Sequence, residues 1–175
     1  MLPARRTLHA DRCFLILSGA VLMCVSGCAE GGRHLALGRP VTLRRGEGCV
    51  VPVGAAEWSV DSCVRVRGGQ TYRFSTQPDA LWWDWFTERK PDGTGPARWY
   101  GPYMRLWSRM LRVPGGTPFA LYGQVGEGPV FFIGAGNRVT MSDSGALRFF
   151  ANDVRGFYWN NRGSVDVSVS RVQKP

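Results

Sequence analysis

The chain has 175 residues with a formal net charge of +9, and its hydrophobic fraction of 44% suits one domain with a real core, leaving little room for two. Its arginines are scattered along the chain, and Lys90 and Lys174 are the only lysines, which disfavours a nucleic-acid-binding protein. We interpret the charge as a solvated basic surface; the alternative is attraction to anionic lipid headgroups or acidic polysaccharide.

The first 27 residues are predicted to be an export signal. Three arginines precede the uncharged run 13–25, which is too short to span a bilayer but typical of the apolar region of a secretory signal. Val25-Ser26-Gly27 before Cys28 resembles the lipobox of bacterial lipoproteins. The resemblance implies cleavage before Cys28, lipidation of Cys28, and a lipid-anchored protein of the bacterial cell envelope. The alternative is an ordinary secretory signal that leaves Cys28 as a thiol.

Residues 28–40 are small and glycine-rich, which predicts a tether before a domain over 41–175. In lipoproteins of diderm bacteria, an Asp directly after the lipidated cysteine tends to retain the protein at the inner membrane. This chain has Ala29 at that position, which favours the outer membrane. Cleavage removes three arginines and one aspartate, which lowers the net charge from +9 to +7. Cys49 and Cys63 are expected to form a disulfide, because they lie in successive predicted strands of an exported chain.

The domain is predicted to be all-β, an antiparallel jelly-roll or β-sandwich. Val165, Val167 and Val169 alternate with polar residues, as in a half-buried strand. Short strands separated by Gly and Pro turns are typical of such folds. The predicted strands are 41–44, 49–53, 62–66, 71–76, 119–125, 130–133, 146–151 and 164–171.

One segment predicts a short amphipathic helix between Pro102 and Pro114. Its apolar residues recur at helical spacing opposite three arginines and a serine. Arginine opposite such residues is typical of helices that lie on a membrane surface. We favour the alternative that this helix is a lid on one end of the sandwich. The apolar positions are Tyr103, Leu106, Trp107, Met110 and Leu111.

The most informative stretch begins with Asn152-Asp153-Val154 and continues through Gly156, Asn160-Asn161 and Gly163-Ser164. It resembles the calcium-dependent galactose-binding bacterial lectins, which have a galactose-binding-like jelly-roll fold. Segments 69–74, 82–85 and 121–126 extend the resemblance. It implies noncatalytic carbohydrate binding with Ca²⁺ as cofactor. The implied metal ligands are the side chains of Asp153, Asn160 and Asn161 and the backbone carbonyls of Phe157 and Trp85.

The resemblance also implies that Asp153, Val154 and Asn160 contact the sugar. Aromatic rings at Trp99, Tyr100 and Trp159 are candidates to stack on a pyranose face. With one carboxylate, a calcium Kd on the order of 10⁻⁴ to 10⁻³ M is expected.

The chain departs from the lectin pattern over 87–116, where it has neither His nor Gln. Two alternatives therefore stay open. The first is that the Asn and Asp residues of the motif form only local Asx turns. The second is that the protein is a structural or interaction lipoprotein of the envelope without a functional sugar site. Motifs for a nucleophilic serine, a phosphate loop or a zinc-binding His pair are absent from the sequence, and Asp84 with Asp153 as a hydrolytic pair is the remaining enzymatic reading.

Overall fold

The computed structural model describes residues 40–173, apart from the side chain of Cys63. The predicted signal, Cys28 and tether residues 28–39 lie outside this part, so the lipoprotein prediction is not tested by the fold. Within the described residues, no helix has the length and apolarity needed to cross a membrane.

Eleven strands and one α-helix make up the described fold. The strands are β1 (Gly48–Gly54), β2 (Val60–Val66), β3 (Thr71–Thr76), β4 (Trp82–Asp84), β5 (Thr87–Arg89), β6 (Leu121–Val125), β7 (Val130–Phe132), β8 (Gly136–Thr140), β9 (Gly145–Ala151), β10 (Asn161–Arg162) and β11 (Ser164–Val172). The helix α1 spans Tyr100–Leu106, and a short 3₁₀ helix spans Tyr158–Asn160.

Two four-stranded antiparallel sheets form the sandwich, in the strand orders β1-β11-β3-β8 and β2-β9-β6-β7. The inward side chains of both sheets share one core, in which the rings of Phe74 and Phe149 meet edge to face at 6.1 Å. The three valines of β11 are buried, as their alternation predicts. The predicted all-β sandwich is confirmed.

A third, small sheet of order β10-β4-β5 lies where β1 ends and β11 begins. The Ala55 N–H, just after β1, donates to the Gly163 carbonyl, just before β11, at 2.9 Å. This small sheet was not predicted, and neither was the edge strand β8. The predicted strand at 41–44 is wrong, because this segment makes only an isolated bridge between Val41 and Val64.

The predicted helix is present but shifted towards the amino terminus. It includes Pro102 in its first turn, where the missing N–H would have no helical partner in any case. It packs through Tyr100 and Met104, whereas Tyr103, Leu106 and Met110 of the predicted apolar face are exposed. The helix therefore covers the end of the sandwich with one face, while its other face is exposed to solvent.

Candidate functional site

A pocket of about 70 Å³ opens at the end of the sandwich where the small sheet, α1 and the segment 152–161 meet. Its polar lining consists of two carboxylates and one amide, and the remainder is aromatic or aliphatic. The lining residues are Asp84, Trp85, Tyr103, Met104, Trp107, Asp153, Val154, Phe157 and Asn160.

Asn152 fixes the start of this segment. Its Oδ1 accepts the Val113 N–H at 2.8 Å, and its Nδ2 donates to the carbonyls of Val113 and Thr117 at 3.3 and 3.1 Å. The side chain is fully buried, and these bonds hold the 113–117 loop against the start of the segment. Gly156 then turns the chain with a φ of 91°, a conformation that side chains disfavour. Asn152 is thus a structural residue.

Asp153 lies at the base of the pocket and is only 2% exposed. Its Oδ1 accepts the Val154 N–H at 2.6 Å, and its Oδ2 accepts the Asn161 Nδ2 at 2.8 Å. Burial raises the pKa of Asp153 to about 6; the hydrogen bond from Asn161 opposes this rise, and the charge of Asp84 adds to it. This carboxylate is desolvated beside a second acid, a setting that favours a bound cation.

Two amide oxygens beside Asp153 have no hydrogen-bond partner among residues 40–173. They are Oδ1 of Asn160 and Oδ1 of Asn161, and both are buried. Asn161 uses its Nδ2 on Asp153 and on the Ala55 carbonyl at 3.2 Å, so its amide is held in place while its oxygen stays unpaired. Leaving a buried acceptor unpaired costs about 1–3 kcal/mol, so these oxygens indicate a ligand that is positively charged or donates hydrogen bonds.

Asp84 is a site residue that the lectin resemblance did not supply. It ends β4, and its Oδ2 accepts the Tyr100 hydroxyl at 2.6 Å. The guanidinium of Arg89 lies 3.5 Å from the centre of the Tyr100 ring. Burial raises the pKa of Asp84, and the hydrogen bond from Tyr100 and the charge of Arg89 oppose this rise. The pocket therefore contains two carboxylates where one was predicted.

Among the described residues, no group of three or more His, Cys, Asp or Glu side chains forms a metal cluster. The oxygen atoms at the pocket belong to two carboxylates, to amides and to backbone carbonyls, which are ligand types that calcium accepts. The Phe157 carbonyl already accepts the Asn160 N–H at 3.0 Å and retains a second lone pair.

Successive ring contacts run around the pocket from Trp85 to Phe157, and we call this chain of rings the aromatic rim. Neighbouring ring centres lie 5.5–6.4 Å apart. Both end members line the pocket, so the rim partly encircles its opening. In order, its members are Trp85, Phe86, Trp99, Tyr103, Trp107 and Phe157.

Four of the five predicted calcium ligands line the pocket, and Asn161 lies directly behind Asp153. Val154 also lines it. Trp99 belongs to the rim and also borders a neighbouring depression with Phe86 and Glu88. Trp159 is 75% exposed beside the pocket and does not block it.

Tyr100 has a different position from the one predicted. It begins α1 and is 4% exposed, and its hydroxyl is bonded to Asp84. The residue therefore supports the pocket wall and has no ring face available for stacking on a ligand.

The fold defines a lectin-like β-sandwich. The chain is similar to a solved structure described as the EclA N-terminal domain, a PllA-like lectin, with 18% identity and a TM-score of 0.52. The match covers 70% of this chain and 94% of that one. No family model and no curated protein sequence matches the chain. This likeness supports the fold, and no functional residue of this chain is assigned from it.

Proposed function

We propose that this protein is a noncatalytic carbohydrate-binding lipoprotein of the bacterial envelope, with a calcium ion in the pocket at the end of its sandwich. The observation that carries the proposal is the buried Asp153 carboxylate beside two unpaired amide oxygens, under an opening edged by aromatic rings. The solved lectin-like neighbour supports the binding class.

The donor atoms fit calcium. Asp153, Asn160 and Asn161 would hold the ion through side-chain oxygens, Trp85 and Phe157 through carbonyls, and Asp84 would add a second charge. Hard divalent cations prefer six to eight such oxygens. A set of Asx turns explains this site less well, because the amide oxygens of Asn160 and Asn161 would then be bonded to nearby backbone.

When bound, calcium supplies a positive centre to which sugar hydroxyls can coordinate. The protein's own groups would orient the sugar. Asp153 and Asn160 present oxygen atoms at the base, and Trp99, Tyr103 and Trp107 present rings beside the opening. A pyranose fits such a surface, because its hydroxyls seek polar atoms and its C–H face packs on aromatic rings.

The interaction lipoprotein without a sugar site is the second candidate. It predicts that aromatic side chains fill the space above Asp153. Trp85, Trp107 and Phe157 instead line an open pocket, and Trp159 is 75% exposed and is not a lining residue. This arrangement favours ligand binding over a closed, structural loop.

Calorimetric titration with Ca²⁺ tests the metal site directly. Residues 40–173 contain all three sheets and their core, so a chain that starts at Ala29 keeps the described fold without the predicted signal. We expect a calcium Kd on the order of 10⁻⁴ to 10⁻³ M for the wild-type chain. The Asp153→Ala variant should show no heat of calcium binding. Asp143→Asn is the matched control, because Asp143 precedes β9 at the opposite end of the strand from Asn152.

A glycan array probed with and without calcium tests the sugar function. Calcium-dependent glycan binding that Asp153→Ala abolishes would support the proposal. A heat of calcium binding without binding to any glycan would contradict the carbohydrate function but would support the metal site. No calcium heat in the wild-type chain would contradict the metal site itself.

The lipid anchor has its own test in the full-length chain. We expect the protein to fractionate with membranes when expressed in a diderm bacterium, and Cys28→Ala to release it or to block its processing. A soluble wild-type chain with an unmodified Cys28 would overturn this part of the proposal.

A further inference from the structure

We propose that the aromatic rim and the exposed part of α1 bind the surface of an anionic lipid membrane. This inference goes beyond the proposed sugar function, because it requires neither calcium nor a saccharide. The surface lies around the opening of the pocket, and its lipid-binding groups are the side chains outside the polar base.

The first observation is the concentration of exposed apolar side chains at this end of the molecule. Leu106 is 81% exposed and Met110 is 52% exposed, one in α1 and one just after it. Phe86 and Trp85, at the turn between β4 and β5, are 65% and 63% exposed. Large exposed apolar patches are uncommon on soluble monomers and mark interaction sites.

The chemical types of these side chains distinguish lipid from sugar. Aromatic rings suit both ligands, because they stack on pyranoses and also concentrate at membrane interfaces. Leu106 and Met110 are aliphatic, and their exposure has no role in stacking on a sugar. Insertion into the boundary between headgroups and acyl chains gives them an apolar environment.

The second observation is the charge of the same segment. Residues 93–126 contain four arginines and no acidic residue. Arg98, Arg105 and Arg109 are exposed, whereas Arg112 packs over the Phe150 ring at 3.5 Å. Within residues 40–173 the two side-chain ion pairs are both made by Arg148, which lies in β9, with Asp61 and Glu127. The arginines beside Leu106 and Met110 therefore complement an anionic surface.

The charge also argues against a second copy of this chain as the partner. If two copies paired through this surface, the positively charged arginines of both copies would meet in the interface. Bringing like charges together there is unfavourable when the charges are desolvated. An anionic bilayer satisfies both observations, since its headgroups accept the arginines and its acyl region accepts the apolar side chains.

The surface is held in an exposed arrangement by buried contacts. Tyr100 and Met104 anchor α1 in the core, so the opposite face of the helix cannot turn inward. Ring contacts of the rim hold Trp99 between Phe86 and Tyr103. This preorganisation lowers the entropic cost of docking.

Vesicle flotation of the chain from Ala29 onward, in the presence of EDTA, tests the inference. The wild-type chain should float with vesicles of phosphatidylcholine and phosphatidylglycerol and bind pure phosphatidylcholine more weakly. Each arginine near an anionic surface contributes about fivefold, so Arg105→Gln with Arg109→Gln should weaken binding to anionic vesicles about 25-fold.

Replacing Leu106 and Met110 by serine should weaken binding about tenfold through lost apolar burial. The matched control is Val50→Ser with Val130→Ser, which removes two exposed apolar side chains from strands of the two main sheets. The control should bind as the wild type does. Absence of flotation in EDTA, or equal binding by the Leu106 and Met110 variant, would overturn the inference.

The two proposals fail separately. The Leu106 and Met110 variant should keep the wild-type heat of calcium binding, because neither residue lines the pocket. Self-association of the wild-type chain in sedimentation velocity, lost in that variant and without vesicle binding, would assign the surface to a second copy and overturn the membrane inference.

Discussion

Replacing Asp153 by asparagine should remove a pH-dependent penalty on the stability of the calcium-free protein. Burial raises the pKa of Asp153 from 3.8 to about 6. The folded state therefore disfavours the ionised carboxylate. Between these two values the folded protein keeps the proton while the unfolded chain releases it, so the free energy of unfolding falls as pH rises.

The size of the effect follows from the pKa difference. Well below pH 3.8 both states are protonated and the penalty is absent, whereas well above about pH 6 both states are ionised and the penalty is fully present. A shift of this size corresponds to about 3 kcal/mol. Asp153→Asn keeps one acceptor oxygen for two donors, the Val154 N–H and the Asn161 Nδ2, so one of these hydrogen bonds is lost at every pH. The change with pH, and not the stability at one pH, therefore identifies the buried charge.

The assay is urea unfolding in EDTA, followed by far-UV circular dichroism at about pH 4 and about pH 7.5. The difference in unfolding free energy between wild type and Asp153→Asn should change by about 2–2.5 kcal/mol between these pH values, because a small part of the penalty is already present at pH 4, and the wild type should lose stability at the higher pH. Asp143→Asn should show no comparable change. An equal pH dependence in wild type and Asp153→Asn would refute the reasoning about this buried carboxylate.

Four further predictions address the support of the pocket and the fold. Tyr100→Phe removes the hydroxyl that donates to Asp84 at 2.6 Å and should raise the calcium Kd about tenfold in calorimetry; an unchanged Kd would contradict a role for this hydroxyl in positioning Asp84. Tyr158→Phe removes a buried bond of 2.5 Å to the Ala151 carbonyl and should cost about 1–2 kcal/mol in urea unfolding, with a near-zero change counting against that bond. Phe149→Ala leaves a cavity in the core and should cost about 3–5 kcal/mol by the same measurement, and a loss below about 1 kcal/mol would mean that the core repacks. The predicted disulfide between Cys49 and Cys63 closes a short loop worth about 3 kcal/mol, and peptide mapping without reduction should recover the linked pair, whereas two separate thiol peptides would contradict it.

The parts of the fold that the sequence predicts are those whose packing is regular. The valines of β11 alternate because one face of the strand lies in the core, and this pattern is visible without a structure. The edge strand β8 is almost entirely exposed, so it has no buried face to create such a pattern. Its place comes from hydrogen bonds to β3, which the sequence does not display.

The hairpin of β4 and β5 was missed for a different reason. Its turn consists of Trp85 and Phe86, with Trp85 at a φ of 56°, whereas two-residue hairpin turns normally use Gly, Asn or Asp. A bulky residue in this conformation is strained, and such strain is found at functional sites. Asp84 precedes this turn, so its place in the pocket followed only once the hairpin was known.

The candidate site loop could be proposed from the sequence because its polar residues are close together along the chain. Asp153, Asn160 and Asn161 lie within nine residues, so a short motif brings them together. The pocket wall formed by α1 comes from a segment that is distant in sequence. Its apolar pattern is consistent both with a buried lid and with a helix exposed on a membrane surface. Burial of Tyr100 and exposure of Leu106 distinguish the two, and both depend on how the helix is rotated against the core.

Two indole rings line the pocket, so the intrinsic tryptophan fluorescence of the protein should respond to ligand binding. Trp85 and Trp107 border the space above Asp153, whereas Trp82 is completely buried in the core and meets Phe119 edge to face. A molecule entering the pocket would displace water from the first two indoles and leave the third unchanged. Ligands can therefore be ranked by a shift in emission wavelength, with no label attached to either partner.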